Sequence, residues 1–208
     1  MRVPETIRGL SPLKWKQTQP DLLEQFKTVL NKAKNNRPLQ EFFEENPVIL
    51  LVGIERPHRS WVLPRSLLPK PKGDGWIPDF LICNWTSLGP RWTMVVLESP
   101  VVSVTNTKAL SGMFNHAHQQ IKDYRHQLLK HADYVQTGDL PGLDPHCNGC
   151  IVIGRRYAHG ETNHERLAWL RKQRIEAMSY DRLIMNVADR LEIEDEKLVA
   201  SKRATSQF

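Results

Sequence analysis

Cysteine is scarce, with Cys83, Cys147 and Cys150 the whole supply. An odd count argues against a disulfide-stapled secreted domain and places the chain in a reducing cytoplasm. Long apolar runs are also missing. None approaches the ~20 residues a membrane helix needs. The opening MRVPETIRGLSPLKWKQ has neither the apolar core nor the cleavage site of a secretory signal. No repeat or low-complexity tract is evident, so a single packed domain with a small extension is expected. HCNGC sets Cys147 and Cys150 at CxxC spacing beside His146. A zinc site needs a second ligand pair, and only Cys83 and scattered His are on offer, so the segment reads as a loop turning on Asn-Gly.

What the chain does have is core material and positive charge. Of 208 residues 40% are apolar, six of them Trp, which excludes global disorder. The net charge of +6 suits a phosphate backbone as partner. Basic residues cluster in ERPHRSWVLPR and PKPKGDG (Arg56, Arg59, Arg65, Lys70 and Lys72), and again in GRR at 154–156 and RKQR at 171–174.

Hydrophobic spacing orders the elements. Residues 1–20 read as an irregular lead-in, and Asp21 caps a helix over LLEQFKTVLNKAK. PLQEFFEEN is a second helix opened by Pro38 and stopped by Pro47. VILLVG is a buried run, strand or helix end, and 55–75 holds a loop or an edge strand around Trp61. WIPDFLICNW and RWTMVVL, separated by TSLGP, form a hairpin. The longest helical pattern covers 108–135, with Met113, His116, Ala117, Gln120, Ile121, Tyr124 and Leu128 on one side. GCIVIG is a buried strand parallel to a hairpin strand, NHERLAWLRKQ a helix, IEAMSY a strand, and DRLIMNVADRLE a last helix opened by Asp181. This order describes an α/β fold, a mixed central sheet with helices on both sides. Its boundaries are a lead-in and helix over 1–37, a core over 38–190 and a polar tail over 191–208.

The hairpin carries the chemistry. With the turn centred on Leu88 and Gly89, Trp85 faces Trp92, Leu81 faces Val96, and Asp79 faces Glu98 on one sheet face. Facing carboxylates repel, and one holds a proton unless a cation sits between them. Oxygen ligands of this kind suit Mg²⁺. The register is an inference from the turn, and a slip of one residue would separate the pair.

PDF followed by a strand ending in Glu resembles the PD-(D/E)xK nuclease superfamily. LQEFFEENPVILL, IPDFLI, VVLESP, HAHQQIKDYRHQL, IVIGRR and SYDRLI, in that order over about 38–185, resemble the Shedu nuclease domain of bacterial anti-phage defence. The resemblance implies a restriction-endonuclease-like core and Mg²⁺-dependent (or Mn²⁺-dependent) hydrolysis of phage or plasmid DNA. It implies a metal held by Asp79 and Glu98, with a further acid on the early helix. Glu41, Glu44 and Glu45 are candidates for that acid, and Glu45 lies nearest the apolar side set by Leu39, Phe42 and Phe43.

The superfamily's lysine falls at Pro100, and the resemblance offers two substitutes, Lys108 to position water or stabilise the phosphate charge, and Gln120 with Tyr124. Gln120 and Tyr124 match a QxxxY helix motif, with His116 one turn earlier. Gln120 then orients water or phosphate, while His116, Tyr124, Arg155 and Arg156 contact nucleic acid. The family implies a homo-oligomer, and the roughly 35 residues before the core are too few for a separate sensor domain. The alternatives are a nuclease fold that binds DNA without cutting, favoured by Pro100, and a protein-interaction domain of a defence assembly.

Overall fold

The computed structural model describes residues 20–56, 59–68, 76–102, 105–106, 109–130, 140, 142–155 and 168–191. Three helices come first: α1 (Pro20–Lys32), α2 (Arg37–Glu45) and α3 (Pro47–Ile54). Then follow strands β1 (Arg59–Pro64), β2 (Phe80–Thr86) and β3 (Gly89–Leu97). The short pair β4 (Thr105–Asn106) and β5 (Ala109–Leu110) leads into α4 (Gly112–Lys130). Strand β6 (Asn148–Val152), helical residues 168–172, β7 (Ile175–Met178) and α5, over residues 180–191, complete the described order.

The main sheet has the order β1-β2-β3-β6-β7, antiparallel through β3 and parallel from β3 to β7. It is the mixed sheet the sequence pattern describes, with β1 as the expected edge. Alternation sorts each strand between two cores. Leu81 and Cys83 of β2, Trp92, Met94 and Val96 of β3, and Ile151 of β6 pack with Phe114, Ala117, Ile121, Tyr124 and Leu128 of α4. Phe80, Ile82, Val95, Leu97, Cys150 and Val152 point the other way, onto α1, α2, α3 and α5. The α4 stripe is thus led by Phe114, while Met113 is 42% exposed and His116 is exposed.

The structure decides one local reading left open and corrects others. The VILLVG run is helical: Pro47 starts α3, and Val48 to Gly53 are buried all round it. Pro20 belongs to α1, so Asp21 sits in its first turn rather than capping it. Helix α5 is capped by Ser179, whose hydroxyl accepts the Arg182 N–H at 3.1 Å, and not by Asp181. Asn148 and Gly149 open β6 rather than turning a loop, and the free, buried Cys147 and Cys150 belong to opposite cores.

The hairpin register is displaced by two residues. Leu81 faces Met94, Cys83 faces Trp92, and Trp85 faces Pro90. The turn is tighter than TSLGP suggested because Thr86 pairs with Gly89, and the Thr86 hydroxyl bonds both the Gly89 carbonyl and the Leu88 N–H. Since the side-chain period is two, an even displacement keeps every residue on its expected face.

Candidate active site

Asp79 and Glu98 stand just outside the paired ends of β2 and β3, 7% and 5% exposed. Asp79 is two residues from Leu81 and Glu98 two from Val96, so both belong to the α4 side. They are diagonal across the strands rather than directly opposed, which spaces Cβ atoms by roughly 7 Å instead of about 5 Å. Their charges still act on one another: Asp79 helps to hold the Glu98 carboxyl above its usual range.

The main chain around the pair is fully engaged. Leu97 donates its N–H to Asp79 Oδ2 at 2.8 Å and accepts Asn36 Nδ2 on its carbonyl at 2.7 Å. Glu98 donates to the Val152 carbonyl at 2.8 Å, and its own carbonyl accepts the Tyr180 hydroxyl at 2.7 Å. The Ser99 N–H favours the charged form of the Glu98 carboxyl, and the Ser99 carbonyl accepts Gly154 N–H at 3.2 Å. Asp79 donates to Val95 at 3.1 Å and accepts the Arg65 N–H at 2.8 Å. Four segments distant in sequence thus hold one strand end, which fixes where the carboxylates can be.

The electrostatics are undercompensated. Burial raises the Asp79 carboxyl above its ordinary range, aided by Glu44 and opposed by the Leu97 N–H and Arg65. Burial likewise raises Glu98, against the opposing pull of His116. Among the described residues the nearest basic side chains are loose: Arg65 Nη1 is 3.9 Å from Asp79 Oδ1, and His116 Nδ1 is 3.7 Å from Glu98 Oε1. Neither distance is a hydrogen bond. Two buried carboxylates without close counter-ions among the described residues form a donor set that fits a hard divalent cation. Among the described residues, no three His, Cys, Asp or Glu converge into a closed cage. A cation such as Mg²⁺ requires only one or two carboxylates beside water and phosphate.

The other expected residues divide. Glu45 is exposed, and the early-helix acid whose charge reaches Asp79 is Glu44, itself bonded by Gln40 at 3.1 Å. Gln120 is half-buried on α4, one turn past His116. Tyr124 is 3% exposed and meets Trp76 edge-on at 6.4 Å, within the core beneath α4. Arg155 is held by Asp181 at 3.0 Å and Asn31 at 2.9 Å. Lys108 and Arg156 lie outside the described residues, and Pro100, which is buried, brings no amine to the site.

Sequence reasoning missed Tyr180. It is fully buried, and burial together with Asp79 and Glu98 keeps its phenol well above the ordinary range, so it remains a donor. SYDRLI was the signal that could have found it.

The model of the family described as "Shedu protein SduA, C-terminal" matches residues 33–184, most of the chain and every element that builds the site. The chain belongs to this Shedu family. No curated protein matches it. Among solved structures, this Shedu chain is similar to restriction endonuclease FokI bound to DNA, at 10% identity and a TM-score of 0.46. The match covers 90% of the present chain and 32% of the FokI chain. Among the described residues of the Shedu domain, no helix is long and apolar enough to cross a membrane.

Proposed function

We propose that the protein is a Mg²⁺-dependent (or Mn²⁺-dependent) DNA endonuclease of cytoplasmic anti-phage defence, working as a homo-oligomer. The observation that carries this reading is the buried, undercompensated pair Asp79 and Glu98 at one strand end. Family membership supports it, since all the residues concerned lie within the matched span.

Asp79 and Glu98 would hold the ion. A divalent ion supplies neutralisation of phosphate charge and makes water a better nucleophile at neutral pH. The clamps on residues 97–99 keep both carboxylates in place, so little reorganisation accompanies substrate binding. Glu44 adds negative charge from α2 to the surroundings of Asp79. His116 faces Glu98 from the exposed side of α4 and is placed to meet substrate, with Gln120 one turn deeper to orient phosphate or water. Arg155 braces α5 against α1, and Arg156, outside the described residues, would grip the nucleic-acid backbone.

Supercoiled plasmid incubated with Mg²⁺ or EDTA tests the reading. Wild type should nick or linearise the plasmid in Mg²⁺ alone, and Asp79→Ala and Glu98→Ala should lose the activity by at least ~100-fold, as expected for loss of a metal-binding group. Equal cleavage by all three proteins would discard the assignment. Salt-sensitive DNA binding with no cleavage would favour the non-cutting alternative that Pro100 suggests.

A further inference from the structure

Position 100, where the superfamily pattern has its lysine, is Pro. Yet a phosphodiester entering a site with two carboxylates needs a fixed positive charge beside it. Among the described residues, two basic side chains lie within ion-pair distance of the carboxylates, Arg65 next to Asp79 and His116 next to Glu98. A guanidinium keeps its charge at any working pH and presents a planar fork of donors to phosphate. An imidazole does neither.

Arg65 is also the better anchored. Its N–H donates to the Asp79 carbonyl at 2.8 Å, and Pro64 before it pairs with Phe80, the residue after Asp79. A single turn, Arg65–Leu67, closes behind it when Leu68 N–H bonds the Arg65 carbonyl at 3.2 Å, and buried Leu68 pins that turn to the core. The backbone of Arg65 is therefore tied to that of Asp79. Its side chain is 46% exposed and stands 3.9 Å from Asp79 Oδ1, too far for a hydrogen bond. Among the described residues its guanidinium makes no hydrogen bond, and nearly half of the side chain is open to solvent. An arginine that served only to neutralise Asp79 would close onto it as a fork at about 2.8 Å.

We infer that Arg65, projecting from the turn after β1, binds the phosphodiester of the substrate beside Asp79 and supplies a positive charge that Pro100 cannot. The inference rests on the proposed nuclease reading but assigns a residue that neither the motif nor the hairpin contains. It also accounts for the basic, proline-rich stretch around Trp61: Pro64 and the following turn direct this arginine to the carboxylates.

The test is binding rather than cleavage. A short fluorescent DNA duplex, and the same sequence as RNA, are titrated in Ca²⁺ over a series of salt concentrations with wild type, Arg65→Ala and Arg65→Lys. Arg65→Ala should weaken binding by roughly 5–10-fold and reduce the log–log salt slope by about one, as for one lost phosphate contact. Arg65→Lys should restore the slope and only part of the affinity. Whichever nucleic acid wild type prefers should show these changes. Mn²⁺ affinity, titrated calorimetrically at pH 8, should not fall in Arg65→Ala.

Unchanged nucleic-acid affinity and slope in Arg65→Ala, with Mn²⁺ affinity equal to or above wild type, would make Arg65 only the counter-ion of Asp79 and overturn the inference, leaving the nuclease reading intact. A wild type that binds neither duplex overturns both. Thermal melts of the variants serve as the folding control, and the exposure of the side chain predicts wild-type values.

Discussion

Tyr180→Phe removes one oxygen atom and isolates the contact that ties α5 to the active-site strand. The Tyr180 hydroxyl donates to the Glu98 carbonyl at 2.7 Å in a fully buried position. The phenylalanine ring fills the same space, so packing is conserved and the carbonyl is left without its partner. An unsatisfied buried acceptor costs about 1–3 kcal/mol. For a chain of this length each kcal/mol moves Tm by about 2–4 °C, which gives a fall of roughly 2–12 °C.

A structural bond would show only that fall. The positioning role adds a second expectation, because Glu98 cannot be held when its backbone shifts. Supporting partners of metal ligands are worth about tenfold in metal affinity. The control is Asn186→Ala on the same helix, where Asn186 Nδ2 donates to the Gly53 carbonyl at 2.7 Å, away from the carboxylates. Thermal melts in EDTA and calorimetric Mn²⁺ titrations of both variants give the comparison. Tyr180→Phe should lose Mn²⁺ affinity about tenfold, while Asn186→Ala loses stability alone. A Tyr180→Phe protein that melts with wild type, or binds Mn²⁺ as wild type does, refutes the positioning argument.

Two further expectations concern stability. Burial holds Asp79 and Glu98 above their ordinary 3.8 and 4.5, so the folded chain binds these protons more tightly than the unfolded chain. Their stabilising contribution is complete below those values and is lost as pH rises through the folded ones, so metal-free Tm should carry a component that declines with pH. The Asp79→Asn/Glu98→Gln double variant should flatten that component, and a pH profile of Tm parallel to wild type would reject the assignment. Gly53→Ala would put a Cβ 2.6 Å from Leu183 Cγ and 2.7 Å from its Cδ1, forcing α3 and α5 apart. A loss of about 1–3 kcal/mol is expected in denaturant melts. It should be largely absent when Leu183→Ala has already made room; strict additivity would contradict the packing explanation.

How much the sequence disclosed depended on whether a feature was local. The face shared by Asp79 and Glu98 was legible because strand alternation survives an even shift in register. The register itself was not, since it is set by which residues close the turn, and the Thr86 hydroxyl decides that. Helix α3 was ambiguous because eight residues that are apolar on every side have no periodicity to read. Glu44 was passed over for Glu45 because a helical wheel locates the sheet-facing stripe. The site lies beyond the strand ends, where a residue off that stripe can act on Asp79. Tyr180 and Arg65 were the least visible. The first meets Glu98 from 82 residues away, and the second is placed by main-chain bonds that no side-chain pattern encodes.

The most direct measurement is a crystal of the protein soaked in Mn²⁺ and measured for anomalous scattering. The account predicts one peak in contact with both the Asp79 and the Glu98 carboxylates, absent from the Asp79→Asn/Glu98→Gln variant. Mg²⁺-dependent plasmid cleavage by a protein whose only peak lies elsewhere, or no peak at the pair at saturating Mn²⁺, would contradict it.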